Sequence, residues 1–230
     1  MLVTGAGGAI GSVVSARLSD RWRLRATDLR PGPGIDELDI TDADACHVAF
    51  TGMDAVVHLA GNPDPEANWS QLYGPNVAGA YIVAAAARDC AVRRLVLASS
   101  QQAVSAFPDT LQRRAEDPAR PANLYGATKA WTEALGSWVA ATSDTSVVAL
   151  RIGYFSQRPP AGDQATPRNL AAWLSHHDAA ELIRAAVEAD VAGLTVVNGI
   201  SANRYRAATL GEAEQLIGYR PVDDAWAATD

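Results

Sequence analysis

The order of apolar runs along the chain predicts an α/β fold, a doubly wound parallel sheet with helices on both faces and a small C-terminal substrate-binding subdomain. Three observations carry this. Six short runs rich in Val, Leu, Ala and Ile alternate with segments whose apolar residues recur at helical spacing. The first run leads straight into Thr4-Gly5-Ala6-Gly7-Gly8-Ala9-Ile10-Gly11, a glycine-rich turn between a strand and a helix. Hydrophobic residues make up 48% of the 230 positions, enough for one substantial core.

Leu2-Val3 is the first strand, and Ile10, Val13, Val14 and Leu18 then mark one face of a helix. Between them Gly5, Gly8 and Gly11, with Ala9 and Ile10, supply a tight turn and bare amides at a helix N-terminus, where a dinucleotide pyrophosphate can sit. That makes the sheet Rossmann-type. Trp22 to Asp28 reads as the second strand and Glu37 to Ile40 as a short third, with Thr41 as N-cap of a helix reaching Phe50. Ala55 to Leu59 is a buried fourth strand, Leu72 to Arg88 a helix despite its glycines, and Arg94 to Ala98 a fifth strand ending at Ser99-Ser100. A helix from Tyr125 to about Ala141 leads to the sixth strand, Ser146 to Arg151. Residues 1–151 thus form the expected dinucleotide-binding domain. Beyond them Pro159-Pro160, Gly162 and Pro167 loosen the pattern before a helix at His176 to Val187 capped by Ser175, a strand at Leu194 to Val197 and a helix at Gly211 to Ile217. Residues 152–230 read as a small substrate-side subdomain intertwined with the first as one compact unit.

Composition narrows the function. A net charge of -7 argues against a nucleic-acid binder, which neutralises phosphates with Lys and Arg. Cys46 and Cys90 are single and far apart, so buried free thiols are expected rather than a disulfide or metal knuckle. No secretory signal is visible and no apolar run spans a bilayer, the nearest being Val77 to Ala87, which suggests a cytoplasmic protein acting on a small molecule. His176 and His177 are adjacent on a helix and face different directions, so no metal is expected. Trp131, Trp138 and Trp173 fall within helical patterns and read as core or interface, leaving Trp69, after the fourth strand, as a pocket candidate.

In such sheets ligands bind at the carboxyl ends of the strands, where the glycine loop, Asp28, His58-Leu59-Ala60-Gly61 and Ser99-Ser100 fall. Asp28 can accept ribose hydroxyls and repel a 2′-phosphate, favouring NAD over NADP, or can cap the turn before Pro31-Gly32, with Arg30 close by to tolerate phosphate. Asp39 and Ile40 can clasp an adenine, or Asp39 can simply start a helix. Tyr125 and Lys129 are four apart, so a helix stacks them on one face. A free phenol titrates near ~10, and an adjacent ammonium favours its phenolate. The pair is then a proton-transfer device suited to oxidation or reduction of a carbinol carbon, with Lys129 also placed to hold a nicotinamide ribose. Taken alone, a Tyr and a Lys at this spacing also arise on ordinary helix surfaces.

The T-G-x-x-G-x-x-G opening, Tyr125-Gly126-Ala127-Thr128-Lys129 and an upstream serine together resemble the extended short-chain dehydrogenase/reductases, the NAD-dependent epimerase/dehydratase family. The resemblance covers nearly the whole chain. It implies Tyr125 as catalytic base, Lys129 as its partner and Ser100, with Ser99 as adjacent competitor, as donor to the reacting oxygen. It also implies NAD contacts from Gly5, Gly8, Ala9, Ile10, Gly11, Asp28, Asp39, Ile40, Leu59, Ala60, Gly61, Asn76, Tyr125 and Lys129. Arg120-Pro121-Ala122-Asn123-Leu124-Tyr125, Leu150-Arg151-Ile152-Gly153, Ala172-Trp173-Leu174-Ser175-His176-His177-Asp178 and Asn198-Gly199-Ile200-Ser201 are similar to segments of the bacterial uronate dehydrogenases and related archaeal sugar dehydrogenases. That implies oxidation of an aldose or uronic acid at C1 to a lactone, with Arg168 gripping a substrate carboxylate or standing as a solvated arginine before a helix. Those relatives carry Asn-His where this chain has Gln101-Gln102, and a small serine where Tyr154 stands. The expected substrate set is therefore Ser100, Gln101, Gln102, Tyr154 and Arg168, in a rebuilt pocket. A nucleotide-sugar epimerase or dehydratase, a reductase of another small carbonyl compound and a non-catalytic dinucleotide-binding protein are the alternatives. The resemblance also suggests a homo-oligomer built through the long helices.

Overall fold

The inner strands of the central sheet are buried on both faces, and alternate residues serve different layers. The computed structural model describes residues 1–227, so the last three residues of the expected C-terminal subdomain lie outside the described residues. In chain order the elements begin with β1 (Leu2–Thr4), α1 (Ala9–Leu18), β2 (Arg25–Asp28), β3 (Ile35–Glu37), α2 (Ala43–Phe50) and β4 (Ala55–His58). A continuous helical stretch follows, made of α3 (Trp69–Leu72), a π-helical turn (Tyr73–Ala78) and α4 (Gly79–Asp89). Then come β5 (Arg94–Ser100), a 3-10 turn (Gln101–Val104), α5 (Leu124–Thr142) and β6 (Ser146–Ile152). The remainder comprises β7 (Tyr154–Phe155), α6 (Pro167–Ala171), β8 (Trp173–Leu174), α7 (His176–Glu188), β9 (Leu194–Gly199) and α8 (Gly211–Ile217).

Among the described residues seven strands form one sheet in the order β3-β2-β1-β4-β5-β6-β9, every pair parallel. The chain winds outward from β1 to β3, then restarts at β4 on the other side of β1. That reversal opens a crevice at the carboxyl ends, where Thr4 pairs with both Thr27 and His58. Val3, Val57, Val96 and Val148 point to a core with Val14, Leu18, Leu182 and Ile183 of α1 and α7. Their neighbours Leu2, Val56, Leu95 and Val147 point to a core with Phe50, Val83, Leu135 and Val139 of α2, α4 and α5. Period-two alternation on a sheet covered by helices explains why these strands read as unbroken apolar runs. Residues after Ile152 supply β9 and α7 to this main sheet, and β7, β8, α6 and α8 sit at its edge.

The structure corrects several expected boundaries. The third strand is Ile35–Glu37 rather than Glu37 to Ile40: a turn with bonds between Gly32 and Ile35 delivers the chain to β2 early, and pairing runs out at Glu37 because β2 ends at Asp28. β2 itself starts at Arg25, opposite Leu2, where β1 begins. Asp42, not Thr41, caps α2, its Oδ1 accepting from the Ala45 N–H at 2.9 Å, while Thr41 bonds back to Asp39. Trp173 lies in β8 and not on a helix, and Cys90 is partly exposed beside His47 whereas Cys46 is buried. Trp69 opens α3 and stands exposed against Tyr73. Ser175 caps α7 as expected, accepting from the Asp178 N–H. Among the described residues no helix is long and apolar enough to cross a membrane, and no group of three His, Cys, Asp or Glu side chains is placed to hold a metal.

Among the described ion pairs, one crosses from sheet to helix. Arg151 of β6 meets Glu133 of α5 with two bonds of 2.9 Å, both side chains buried. The same guanidinium donates to the carbonyls of Arg114 and Asp117, and Ser99 Oγ donates to Glu133 at 2.6 Å. Glu133→Ala leaves a buried cation without its carboxylate, and we expect a loss of about 3–5 kcal/mol. Urea unfolding at neutral pH reads it as a lowered midpoint; a loss under about 1 kcal/mol would mean that the pair does not hold α5 to the sheet.

Candidate active site

The passage from β1 into α1 requires glycine at two positions, Gly5 and Gly11. Gly5 is left-handed (φ 71°) and packs so closely that a Cβ there would lie 2.6 Å from the Ala60 nitrogen; a Cβ on Gly11 would lie 2.1 Å from the Gly5 carbonyl oxygen. Gly7, Gly8 and Ala9 are exposed, and no side chain caps the start of α1, whereas Asp42, Asn123 and Ser175 cap α2, α5 and α7. Open first-turn amides above a glycine cradle fit a dinucleotide pyrophosphate. Ile10 turns inward and packs against the core.

Asp28 ends β2 beside this loop. Its Oδ2 accepts from the Gly7 N–H at 3.0 Å and its Oδ1 from the Arg30 N–H at 3.2 Å. The turn-holding role left open by the sequence is therefore real, and it fixes the carboxylate next to the open helix start, where it can meet ribose hydroxyls and oppose an added phosphate. Asp39 and Ile40 lie beyond β3. One Asp39 oxygen is taken by the backbone and hydroxyl of Thr41, while Ile40 is buried in the core against Gly79.

Past β4, half-buried Leu59 and Ala60 lie against Gly5 of the glycine loop, and exposed Gly61 lies against Asn76 and Lys129. Asn76, held inward by the π-helical turn, clamps this segment. Its Oδ1 accepts from the Asn62 N–H at 2.7 Å, and its Nδ2 donates to the Asn62 carbonyl at 3.0 Å and to Thr128 Oγ1 at 3.3 Å. Its carboxamide is thus engaged by protein at both ends. Thr128 lies between Tyr125 and Lys129 on α5, so one side chain ties the loop after β4 to the helix carrying both.

Tyr125 is on the first turn of α5, whose N-cap Asn123 accepts from the Gly126 N–H at 2.7 Å. Ser100 ends β5 within hydrogen-bonding reach of the phenol, and Lys129 sits with Nζ 5.5 Å from the Tyr125 ring centre, donating to the Ala98 carbonyl at 2.9 Å. The structure separates the two serines. Ser99 is spent on Glu133, on the other side of the strand, while Ser100 faces Tyr125. Burial raises the phenol above its ordinary value, with the Ser100 hydrogen bond pulling the other way. The expected lowering by Lys129 is therefore not what governs Tyr125 in the free chain. Burial also brings Lys129 down to about 8. Beneath them His58 is neutral, pushed to about 3 by burial and then by the Lys129 charge, its Nδ1 2.8 Å from Thr4 Oγ1.

The expected substrate residues divide. Gln101 is buried, its Nε2 donating to the Arg151 carbonyl at 3.0 Å and to Asn198 Oδ1 at 2.8 Å, so the carboxamide expected to face substrate lies inside the end of the sheet. Gln102 is half-buried beside Tyr125, its Oε1 accepting from Asn123 Nδ2 at 3.1 Å. Tyr154 is half-buried in β7, and Arg168 on α6 donates to the Ser105 carbonyl at 3.2 Å. A separate hollow of about 550 Å³, lined by Arg23, Arg25, Gly34 and Met53, lies at the amino ends of the strands, away from this cluster.

The sequence profile of the NAD dependent epimerase/dehydratase family matches residues 1–183, from the glycine loop through α5 into α7. The chain belongs to that family. This NAD-dependent enzyme is 36% identical to an L-arabinose 1-dehydrogenase (NAD(P)(+)) of Haloferax volcanii, across 97% of this chain and 96% of that one. It is 32% identical to a uronate dehydrogenase of Pseudomonas putida, across 98% of this chain and 84% of that one. A uronate dehydrogenase variant from Agrobacterium tumefaciens solved with NAD superposes at a TM-score of 0.89, with 33% identity over 99% of this chain and 86% of that one.

Thr4 and Thr128 stand inside the motifs and His58 at a strand end, but their supporting roles beneath the site, and Glu133 altogether, were not legible in the sequence: each bonds to a partner 18 or more residues away. Lys129 gives a direct pH signature. Its pKa is lower folded (about 8) than unfolded (10.5), so within that window the unfolded chain holds a proton that the folded chain has lost, and stability rises with pH. Comparing denaturant unfolding at about pH 8 and about pH 10 should show a gain in wild type of up to about 1.4 kcal/mol per pH unit. Lys129→Met should lack that gain; equal slopes in the two proteins would contradict burial of a titrating ammonium.

Proposed function

We propose that this family member oxidises an aldose or uronic acid at C1 to the lactone, with Tyr125 as base, Ser100 holding the reacting oxygen and Lys129 assisting both. The observation that carries the reading is the convergence of Ser100, Tyr125 and Lys129 at the carboxyl end of β5, beside the loop locked by Asn76. Ser100 donates to the C1 oxygen and Tyr125 takes the hydroxyl proton as C1 becomes a carbonyl carbon. Bound NAD supplies the hydride acceptor. The Lys129 ammonium lies close enough to favour the phenolate as it forms, and Asn76 keeps its loop from drifting. Arg168 is the side chain suited to a substrate carboxylate. Support for a sugar substrate comes from the dehydrogenases of L-arabinose, glucose 6-phosphate and uronate that the chain resembles over almost its full length.

NADH formation should be followed with L-arabinose, glucose 6-phosphate, galacturonate and glucuronate. Tyr125→Phe is expected to lower turnover by about 10³-fold while leaving NAD affinity within about threefold. Retained turnover would remove Tyr125 from the chemistry. Since burial holds the phenol above its ordinary value, the reactive ionised fraction grows as pH rises, so kcat/KM for oxidation should increase from neutral pH upward. Asp28→Ala should raise the use of NADP relative to NAD; an unchanged ratio would show that the carboxylate serves only the turn.

A further inference from the structure

Two guanidinium groups and a single carboxylate meet beyond the turn that follows Ser100. Arg113 is buried, donates from Nη2 to Asp109 Oδ1 at 2.8 Å, and has a buried Nε with no partner. Arg168 approaches the same oxygen, its Nε 3.8 Å from Asp109 Oδ1, while its Nη2 holds the Ser105 carbonyl. Ser105 directly follows the 3-10 turn Gln101–Val104, and its hydroxyl accepts from the Ala122 N–H at 2.9 Å on the segment leading into α5. The cluster is therefore built onto the frame that holds Ser100 and Tyr125.

Asp109 is the only acid that the described ion pairs place on either arginine. Its side chain is 56% exposed, against 3% for Arg113, so it reaches the cations from the solvent side. Burial and then the Arg168 charge disfavour the charged form of Arg113, and Asp109 offsets them only in part.

We propose that Asp109 determines specificity, occupying the arginine pair in place of a substrate carboxylate and turning the pocket toward neutral aldoses and against uronates. The inference rests on the dehydrogenase reading above, with Arg168 facing substrate. A uronate reaching Arg168 meets the Asp109 carboxylate on the same guanidinium, two like charges competing for one fork of donors. A neutral aldose meets no such repulsion, and its hydroxyls can donate to the Asp109 oxygen that the arginines do not use.

Asp109→Asn keeps the size and removes the charge. With NAD present, galacturonate binding by calorimetry and its KM should both improve by about fivefold, while the values for L-arabinose move by less than about twofold. Asp109→Glu restores a carboxylate and should return galacturonate toward wild-type values, and Arg168→Ala added to Asp109→Asn should abolish the gain. Unchanged or weaker galacturonate binding overturns the proposal, as does an equal shift for both sugars, which marks Asp109 as mere support for Arg113. Absence of NADH formation from every sugar in both proteins overturns the dehydrogenase reading, while calorimetry still tests Asp109; no galacturonate binding to either protein overturns the Asp109 proposal as well.

Discussion

The ion pair between Arg151 and Glu133 is the constraint on which the site depends. It is formed between a strand and a helix that meet only in the fold, and it pins the middle of α5 to the sheet. Tyr125 and Lys129 stand on that helix, Ser99 is bound into the pair, and the loop around Arg114 and Asp117 hangs from the same guanidinium. A buried pair of this kind contributes little net stability over apolar packing, since both charges leave water. What it supplies is orientation. Because Ser99 is drawn to Glu133, the next side chain along the strand must face the phenol.

Much of this was legible locally. The glycine loop, the apolar strands and the long helix under Tyr125 depend on spacing between near neighbours, and they form where spacing puts them. The expectations that shifted depended on partners. Glu37 to Ile40 looked like a strand, yet β2 ends opposite Glu37 and offers nothing further to pair with. Thr41 and Asp42 are both good caps, and only the bond from Thr41 to Asp39 shows which one is free. Gln101 read as a pocket residue because it follows the serine, but Asn198, far along the chain, draws its carboxamide into the sheet. No local pattern announces a contact across that separation.

The electrostatics follow the same division. A tyrosine four residues before a lysine suggests a phenol pulled down by a neighbouring charge, and that holds when both are solvated. Packed beneath a helix and a sheet, each loses water first. Burial raises the phenol and lowers the ammonium, so both neutral forms gain and His58 below them stays uncharged. At neutral pH Lys129 still keeps its proton, so the site holds one ammonium beside a neutral phenol and a neutral imidazole, and a bound ligand's charges act on it with little screening.

The π-helical turn at Tyr73–Ala78 has a consequence for how this segment can vary. Such a turn is wider than an α-helical one and holds one residue more than a regular helix needs. Removing a residue there would let the turn close into regular helix and change the direction in which the side chains inside it point. Asn76 would then leave Asn62 and Thr128, and the loop after β4 would come adrift from α5. The length of this stretch is set by the reach of one carboxamide rather than by the helix around it, so it should tolerate substitution far better than a change in length.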